Sequence, residues 1–282
     1  MISLKKAVSS IIHVTARMRA VRALVSHPVI RYRVRTWPGF RRIYGSGWEF
    51  QHPIDRHYRT DTSGFVPSNQ LASSPLDSAR RNVYSGSQPS IIRTALNTLP
   101  PLPECTFIDL GCGRGRPLLV ASEYPFRSLI GVELSSSLVL DARKNAARLR
   151  QGYSQRPPIV IEQCDAAQFS IPAGSAVIFL YNPFGEEVIA RVISRIEEAV
   201  AAGGRTIFVI YYNPVHGHAF DASPALKRYF AANVPYSPDE LGYGPDIADS
   251  IVIWQAGGLV HAHAEADAKI KITVPGLRAE LA

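Results

Sequence analysis

Residues 106–116 constrain the fold of this chain more than any other stretch. They read Thr-Phe-Ile-Asp-Leu-Gly-Cys-Gly-Arg-Gly-Arg. The apolar start predicts a short buried strand, and a helix is expected to begin near Pro117, because proline suits a first helical turn in which its missing N–H would have no partner. Between strand and helix, a sharp turn and the close approach of a ligand are permitted by three residues without a Cβ, Gly111, Gly113 and Gly115.

The residues around this turn disfavour a dinucleotide ligand. A dinucleotide fingerprint needs a third glycine where this chain has Arg116, and it places a pyrophosphate at the helix start. Here Asp109 lies two residues before the first glycine. A carboxylate repels a pyrophosphate but attracts an ammonium group. The pattern therefore favours S-adenosylmethionine, which carries an ammonium group and no phosphate.

Residues 107–115 resemble motif I of the class I S-adenosylmethionine-dependent methyltransferases. The resemblance covers about residues 84–255 and continues, in the family's order and spacing, at Gly131-Val-Glu133, Cys164-Asp165-Ala166 and Tyr181-Asn-Pro-Phe-Gly185. It implies an α/β fold with a doubly wound, mostly parallel seven-stranded sheet. It also implies a methyltransferase that uses S-adenosyl-L-methionine and needs no metal.

The resemblance assigns cofactor contacts residue by residue. Asp109 is expected to meet the methionine ammonium directly or through water, and Glu133 to bind the ribose hydroxyls, unless it only caps the next helix. Asp165 and the backbone N–H of Ala166 are expected to bind adenine, unless Asp165 is an ordinary loop residue. The full expected cofactor set is Tyr84, Asp109, Gly111, Cys112, Gly113, Gly115, Arg116, Glu133, Asp165, Ala166 and Asn182. Arg114 and Arg116 are each expected either to bind the methionine carboxylate or to face solvent at the helix start.

The expected catalytic residues are Asn182, Pro183 and Phe184. They resemble the Asn/Asp-Pro-Pro-Tyr/Phe motif of amino-group methyltransferases and an Asn-Asn-Phe segment of Dot1-type lysine methyltransferases, although only one proline is present. In such a motif an Asn oxygen and a Pro carbonyl hold the acceptor N–H₂ group in line with the C–S bond. We expect a nitrogen acceptor. The alternatives are transfer to oxygen or carbon of a small metabolite, or a non-catalytic cofactor-binding module.

The basic residues are concentrated at the N-terminus. Residues 1–50 hold ten Lys and Arg against one acid, a net charge of +9, whereas the whole chain carries +8. Residues 51–282 therefore sum to −1. Because a nucleic-acid-binding surface needs Lys and Arg to match phosphates, we expect a protein or a small molecule as acceptor rather than a nucleic acid.

Three regions are expected along the chain. Residues 1–75 form a basic N-terminal extension, residues 76–258 the S-adenosylmethionine-binding domain, and residues 259–282 a C-terminal tail. Periodicity predicts a basic amphipathic helix over 2–27, which could lie on an anionic membrane, pack on the core or act as a transit peptide. Residues 55–64 are expected to form a surface loop; the alternative is that they cover the cofactor or shape the acceptor pocket.

Alternating patterns predict strands and helices in turn. Strands are expected over 106–110, 129–133, 159–163, 176–181, 206–212 and, antiparallel, 250–255, with an unplaced strand over 269–274. Helices are expected over 90–99, 117–123, 135–150 and 186–202. The cysteines Cys105, Cys112 and Cys164 lack disulfide or metal-ligand spacing, which indicates a reducing, cytoplasmic environment. His216 and His218 follow the fifth strand, where they could line the acceptor pocket and a neutral His could remove a proton.

Overall fold

The computed structural model describes residues 27–44, 47–71, 83–101, 104–258, 263–274 and 277–281. The helix predicted over 2–27, and with it any membrane contact, lies outside these residues except for its last position. The helices of the described residues are α1 Pro28–Thr36, α2 Pro38–Tyr44, α3 Pro53–Tyr58, α4 Ser68–Leu71, α5 Pro89–Asn97, α6 Arg116–Ala121, α7 Ser136–Gly152, α8 Glu186–Ala201 and α9 Gly217–Ala222. None of them combines the length and the hydropathy that crossing a lipid bilayer requires.

The strands are β1 Phe65–Val66, β2 Tyr84–Ser85, β3 Thr106–Leu110, β4 Ser128–Glu133, β5 Ile159–Gln163, β6 Ala176–Tyr181, β7 Ile207–Tyr212, β8 Leu226–Pro235, β9 Ala248–Ala256, β10 Ile270–Val274 and β11 Leu277–Leu281. Seven of them form one sheet in the order β5-β4-β3-β6-β7-β9-β8. Strands β3 to β7 are parallel, and β9 runs antiparallel between β7 and β8. The predicted doubly wound, mostly parallel sheet is confirmed.

Both faces of the sheet are covered, which explains the apolar strands. Side chains alternate along β3, so that Phe107 packs in the core beneath α5 and α6 while Ile108 packs in the core beneath α8. The strand order reverses between β3 and β6. In an open α/β sheet, ligands bind beyond the carboxyl ends of the strands at such a reversal.

Strand β8 was absent from the sequence prediction. It is an edge strand with irregular burial, a bulge between Arg228 and Phe230 and a terminal Pro235, so it lacks the alternation that marks a half-buried strand. The strand expected over 269–274 is present as β10. It forms a hairpin with β11, and Ile270 and Ile272 are buried in the core on the α8 side.

The prediction of a surface loop over 55–64 is wrong, because its first residues belong to α3 and five of the ten residues are buried: Asp55, Tyr58, Thr60, Thr62 and Ser63. Asp55 is fully buried at the start of α3. Its Oδ1 accepts hydrogen bonds from both the N–H and the hydroxyl of Thr62 and from the hydroxyl of Thr60, and its Oδ2 accepts one from the Ser63 hydroxyl. A buried carboxylate is stable only when its oxygens are satisfied in this way, so the segment is held in one conformation.

Arg116 fixes the same segment against the glycine-rich turn. Its guanidinium donates to the hydroxyl and the carbonyl of Thr62, to the hydroxyl of Ser63 and to the carbonyl of Ser87, and it lies 3.7 Å from Asp55 Oδ2. Because only 3% of the Arg116 side chain is exposed, the alternative that it faces solvent is wrong. The first residue of α6 thus ties the N-terminal segment to the turn.

Replacing Asp55 by Ala should leave the Arg116 guanidinium buried without its counter-charge. We expect the free energy of unfolding to fall by about 3 to 5 kcal/mol, the range for a broken buried pair, measured by urea or thermal denaturation. The matched control is Asp61→Ala, because Asp61 pairs with Arg114 at 3.6 Å but is 71% exposed, and exposed pairs contribute about 0 to 1 kcal/mol. Equal losses in the two variants would contradict the assigned role of Asp55.

Candidate active site

A cavity of about 460 Å³ opens at the carboxyl ends of the parallel strands. Each strand delivers a polar side chain to it, because parallel strands end at the same edge of the sheet. These side chains are Asp109 in β3, Glu133 at the end of β4, Asp165 after β5, Asn182 after β6 and Asn213 after β7. The sequence-predicted residues Asp109, Glu133, Asp165 and Asn182 are therefore brought together.

The glycine-rich turn is shaped by close backbone contacts. Gly111, Gly113 and Gly115 have φ of 79°, 54° and 84°, a region that side chains rarely adopt. A Cβ on Gly111 would lie 2.7 Å from Cβ of Pro183, and one on Gly113 would overlap the ring of Tyr84. The turn thus contacts both the expected catalytic segment and the N-terminal part of the domain.

The carboxylate of Asp109 is buried under the turn, with 1% of the residue exposed. Its Oδ2 has no hydrogen-bond partner among the described residues. Burial, and secondarily the charge of Glu133, raise the pKa of Asp109 well above its usual value. A buried carboxylate oxygen of this kind is satisfied by a cation with N–H groups, which is the chemistry of an ammonium group.

Glu133 is held in place by the backbone. Its Oε2 accepts the N–H of Gly113 at 3.0 Å, and its Oε1 accepts those of Leu134 and Ser135 at 2.9 and 2.8 Å. The carboxylate therefore links the glycine-rich turn to the start of α7. The bonds to Leu134 and Ser135 correspond to the helix-capping role that was the alternative for Glu133. A carboxylate offers about four acceptor positions, so these bonds leave room for the ribose hydroxyls, and the ribose contact remains a prediction.

Asp165 forms a turn at the end of β5, where its Oδ1 accepts the N–H of Ala167 at 2.9 Å. Asp165 and Ala166 both line the cavity, as the resemblance requires for an adenine site. Cys112 also lines it, and its thiol is buried, which together with the charges of Asp109 and Glu133 raises its pKa. The cavity wall here is apolar apart from the carboxylate, which suits a flat aromatic base.

The expected catalytic segment follows β6. Asn182 has φ of 39°, and its Oδ1 lies 3.5 Å from the hydroxyl of Tyr211, a weak bond. A Cβ on Gly111 would contact both Pro183 and Phe184. A non-glycine residue in the left-handed region is uncommon, although Asn is the residue that tolerates it best. The conformation aims this turn at the cavity.

Tyr84 and Arg114 form a second contact with the turn. Tyr84 lines the cavity, and its hydroxyl donates to the carbonyl of Thr62 at 2.7 Å. The guanidinium of Arg114 lies over the Tyr84 ring, bonds the carbonyl of Ser63 and lies 3.5 Å from Asp141. Arg114 is thus engaged by protein groups and does not line the cavity.

The far end of the cavity contains residues that the sequence analysis missed. Because β9 is antiparallel, its N-terminal end lies at the same edge as the carboxyl ends of the parallel strands, and it brings Asp246 and Asp249 to the cavity. Asp249 accepts hydrogen bonds from the hydroxyls of Tyr212 and Tyr236 and from Asn213 Nδ2. The available signal was an acidic pair just before the one predicted antiparallel strand.

The histidines differ in position. His216 lines the cavity, and burial lowers its pKa, whereas His218 is 62% exposed beside Glu186. His263 packs on Tyr229 near Thr98, far along the chain from these residues. Within the described ranges, no three or more His, Cys, Asp and Glu side chains group closely enough to hold a metal ion.

Replacing Asp109 by Asn should separate ligand binding from stability. The affinity for S-adenosylmethionine should fall about 10- to 100-fold, because a charge-assisted hydrogen bond contributes about 1.5 to 3 kcal/mol. The ligand-free variant should have a higher free energy of unfolding than the wild type at pH 7 to 8. Because the pKa of Asp109 is raised in the folded protein, ionisation of this carboxyl group destabilises the wild type as the pH rises through that pKa, and the Asn variant has no such group.

Calorimetry measures the first effect and thermal denaturation the second. Glu162→Gln is the control, because Glu162 is an exposed residue of β5 that does not line the cavity. Wild-type affinity should also decrease as the pH is lowered and Asp109 takes up a proton, and this dependence should be weaker in the Asn variant. Unchanged affinity in the variant would contradict the role of Asp109.

Comparisons with known proteins give distant likenesses. No family model and no curated protein sequence matches the chain. Among solved structures, the StiE O-MT is 13% identical with a TM-score of 0.43, covering 63% of this chain and 76% of its own. The 23S rRNA methyltransferase ErmE is 15% identical with a TM-score of 0.42, covering 61% and 69%. A dimethyladenosine transferase from Plasmodium falciparum is 12% identical with a TM-score of 0.41, covering 60% and 62%.

The expectation that a nucleic acid is an unlikely partner is wrong. Similar solved structures include an rRNA methyltransferase, and the near-neutral sum of residues 51–282 conceals an uneven surface. Helix α7 exposes four basic side chains against one partly buried acid, Asp141; they are Arg143, Lys144, Arg148 and Arg150. Since phosphates are matched locally rather than by total charge, nucleic acid stays among the candidate acceptors.

The strand order, the reversal between β3 and β6 and the cavity at that reversal agree with the resemblance found in the sequence. The chain has the fold of the class I S-adenosylmethionine-dependent methyltransferases.

Proposed function

We propose that this chain is an S-adenosylmethionine-dependent methyltransferase. The observation that carries the proposal is the buried Asp109 carboxylate, whose Oδ2 has no partner among the described residues and lies under a glycine-rich turn. A phosphate-bearing cofactor would be repelled there, whereas the methionine ammonium supplies both the charge and the N–H donors.

The other residues of the cavity fit the remaining parts of the same molecule. Glu133, Asp165 and Ala166 all line the cavity. On this proposal Glu133 accepts from the ribose hydroxyls, and Asp165 and the N–H of Ala166 bind adenine. Gly111 and Gly113 leave the backbone open to the methionine part, and Tyr84 bounds that end. S-adenosylmethionine supplies an activated methyl group on sulfur, so the task of the protein is to position the acceptor and exclude water.

The turn after β6 supports a nitrogen acceptor. Pro183 lies against the glycine-rich turn, with Asn182 directly before it. The side-chain oxygen of Asn182 and the carbonyl of Pro183 can accept hydrogen bonds from an amino group. Two acceptors orient the nitrogen lone pair and stabilise the positive charge that the nitrogen gains.

The acceptor class is identified by incubating the protein with S-adenosylmethionine labelled in its methyl group and a size-fractionated lysate. We expect label in a nitrogen of a protein side chain or a small molecule. Label in nucleic acid would identify that acceptor instead. Absence of label in every fraction, with tight binding of the cofactor, would support a non-catalytic module and contradict the proposal.

Replacing Asn182 by Gly should remove turnover and leave cofactor binding within about twofold. Glycine keeps the left-handed backbone conformation without strain, so the variant removes the side chain only. We expect a loss of about 100- to 1000-fold in kcat, as for other groups that bind the reacting centre. Asn97→Ala, at the exposed end of α5, is the control. Full activity of the Asn182 variant would reduce this residue to a structural role.

A further inference from the structure

The cavity has a second end beyond the catalytic turn, which we call the acceptor end. It is bounded by aromatic, polar and acidic residues from three strand ends and the N-terminal segment: Trp48, Tyr181, Asn213, His216, Asp246 and Asp249. The ring of Tyr181 packs against that of Tyr212 at a tilt of 34° with centroids 4.2 Å apart, and Trp48 stacks on Phe65. The rings are thus fixed in orientation by their neighbours.

The cavity is lined by more acidic than basic side chains. Six carboxylates line it, Asp109, Glu133, Asp165, Glu187, Asp246 and Asp249. The cationic side chains among its described lining residues are Arg116 and Arg191. Arg116 is committed to Asp55 and the N-terminal segment, and Arg191 bonds Glu187 at 3.0 Å. A cofactor with one net positive charge leaves a surplus of negative charge.

The two carboxylates of the acceptor end differ in their contacts. Asp249 uses both oxygens to fix Tyr212, Tyr236 and Asn213. Asp246 is half-buried and makes no hydrogen bond or ion pair to the described residues. Burial, then the charge of Asp249, raise the pKa of Asp246 to about 6, against an opposing effect of Arg41. Its carboxylate is therefore available for a ligand and charged at pH 7.

We propose that the acceptor end binds an amine that is cationic in solution, and that Asp246 is the side chain that receives it. This inference rests on the proposed methyltransferase function and specifies its substrate class. An ammonium group entering a half-buried pocket loses hydration, which the carboxylate and the faces of Tyr181 and Trp48 replace. The carboxylates also offset repulsion between the arriving cation and the sulfonium group.

Asp246 also accepts the proton that the ammonium group must lose before methyl transfer. The ammonium gives one proton to the carboxylate of Asp246, and the freed lone pair forms the C–N bond while the C–S bond electrons pass to sulfur. The products are the methylated ammonium, S-adenosylhomocysteine and, from Asp246, one proton released to water. A group with a pKa near 6 accepts a proton at neutral pH and returns it readily.

Two synthetic ligands test this without knowledge of the natural acceptor. Both are S-adenosylhomocysteine analogues in which a carbon replaces the sulfur. One carries an aminomethyl arm, whose CH₂ stands for the methyl group in transfer and whose nitrogen stands for the acceptor atom, and the other carries an ethyl arm of the same size. Calorimetry gives the ratio of their dissociation constants for each variant.

We expect the wild type to prefer the aminomethyl arm by about tenfold or more, the effect of one charge-assisted hydrogen bond. Asp246→Asn should reduce the preference to less than about threefold while leaving S-adenosylhomocysteine affinity unchanged, and Glu162→Gln should keep it. In the wild type the preference should also decline as the pH falls from 7.5 to 5. The groups facing Asp246 during that titration are Asp249, Arg41, Tyr181 and Tyr236.

A wild type without preference, or a preference that survives both Asp246→Asn and low pH, overturns the inference while the proposed function stands. Failure of S-adenosylhomocysteine itself to bind overturns both. Should the Asn variant not fold, as judged by circular dichroism, the wild-type pH dependence decides alone, because the two analogues differ only in the amine.

Discussion

The contact between the glycine-rich turn and the turn after β6 is the constraint on which the site depends. Gly111 lies so close to Pro183 that a Cβ at position 111 would be only 2.7 Å from Cβ of Pro183. Strands β3 and β6 are neighbours in the sheet, so their carboxyl ends necessarily meet. This contact joins the residues expected to hold the cofactor to those expected to hold the acceptor. Any side chain at position 111 would push them apart, and in-line methyl transfer tolerates little displacement.

The parallel half of the sheet was predictable because the ends of its strands are marked in the local sequence. Strands β3, β5 and β6 have the predicted ends, since each is a short run with apolar residues followed by a glycine, an acid or an asparagine at a turn. The carboxyl ends of such strands must lie at one edge. The convergence of Asp109, Glu133 and Asp165 on one cavity therefore follows from local sequence plus topology.

The N-terminal segment was not predictable in the same way. Asp55 lies among polar residues without a period, and nothing local distinguishes it from an exposed acid. Its burial depends on Arg116, 61 positions away, whose own guanidinium would be costly to bury without it. Each of the two buried charges is stabilised by the other. Such a pair becomes visible only when the fold has brought its members together.

The antiparallel strand β9 explains why the acceptor end was missed and why it can be specific. Its N-terminal end delivers Asp246 and Asp249 to the edge where the parallel strands finish, and β8 brings Tyr236 to the same place. These residues do not take part in the glycine-rich turn or in β3 and β4. On the proposed function, residues before β9 could therefore change without altering the residues expected to hold the cofactor. If the proposed acceptor end is correct, acceptor specificity in this chain rests on side chains at the beginning of β9, a position that no regular sequence pattern marks.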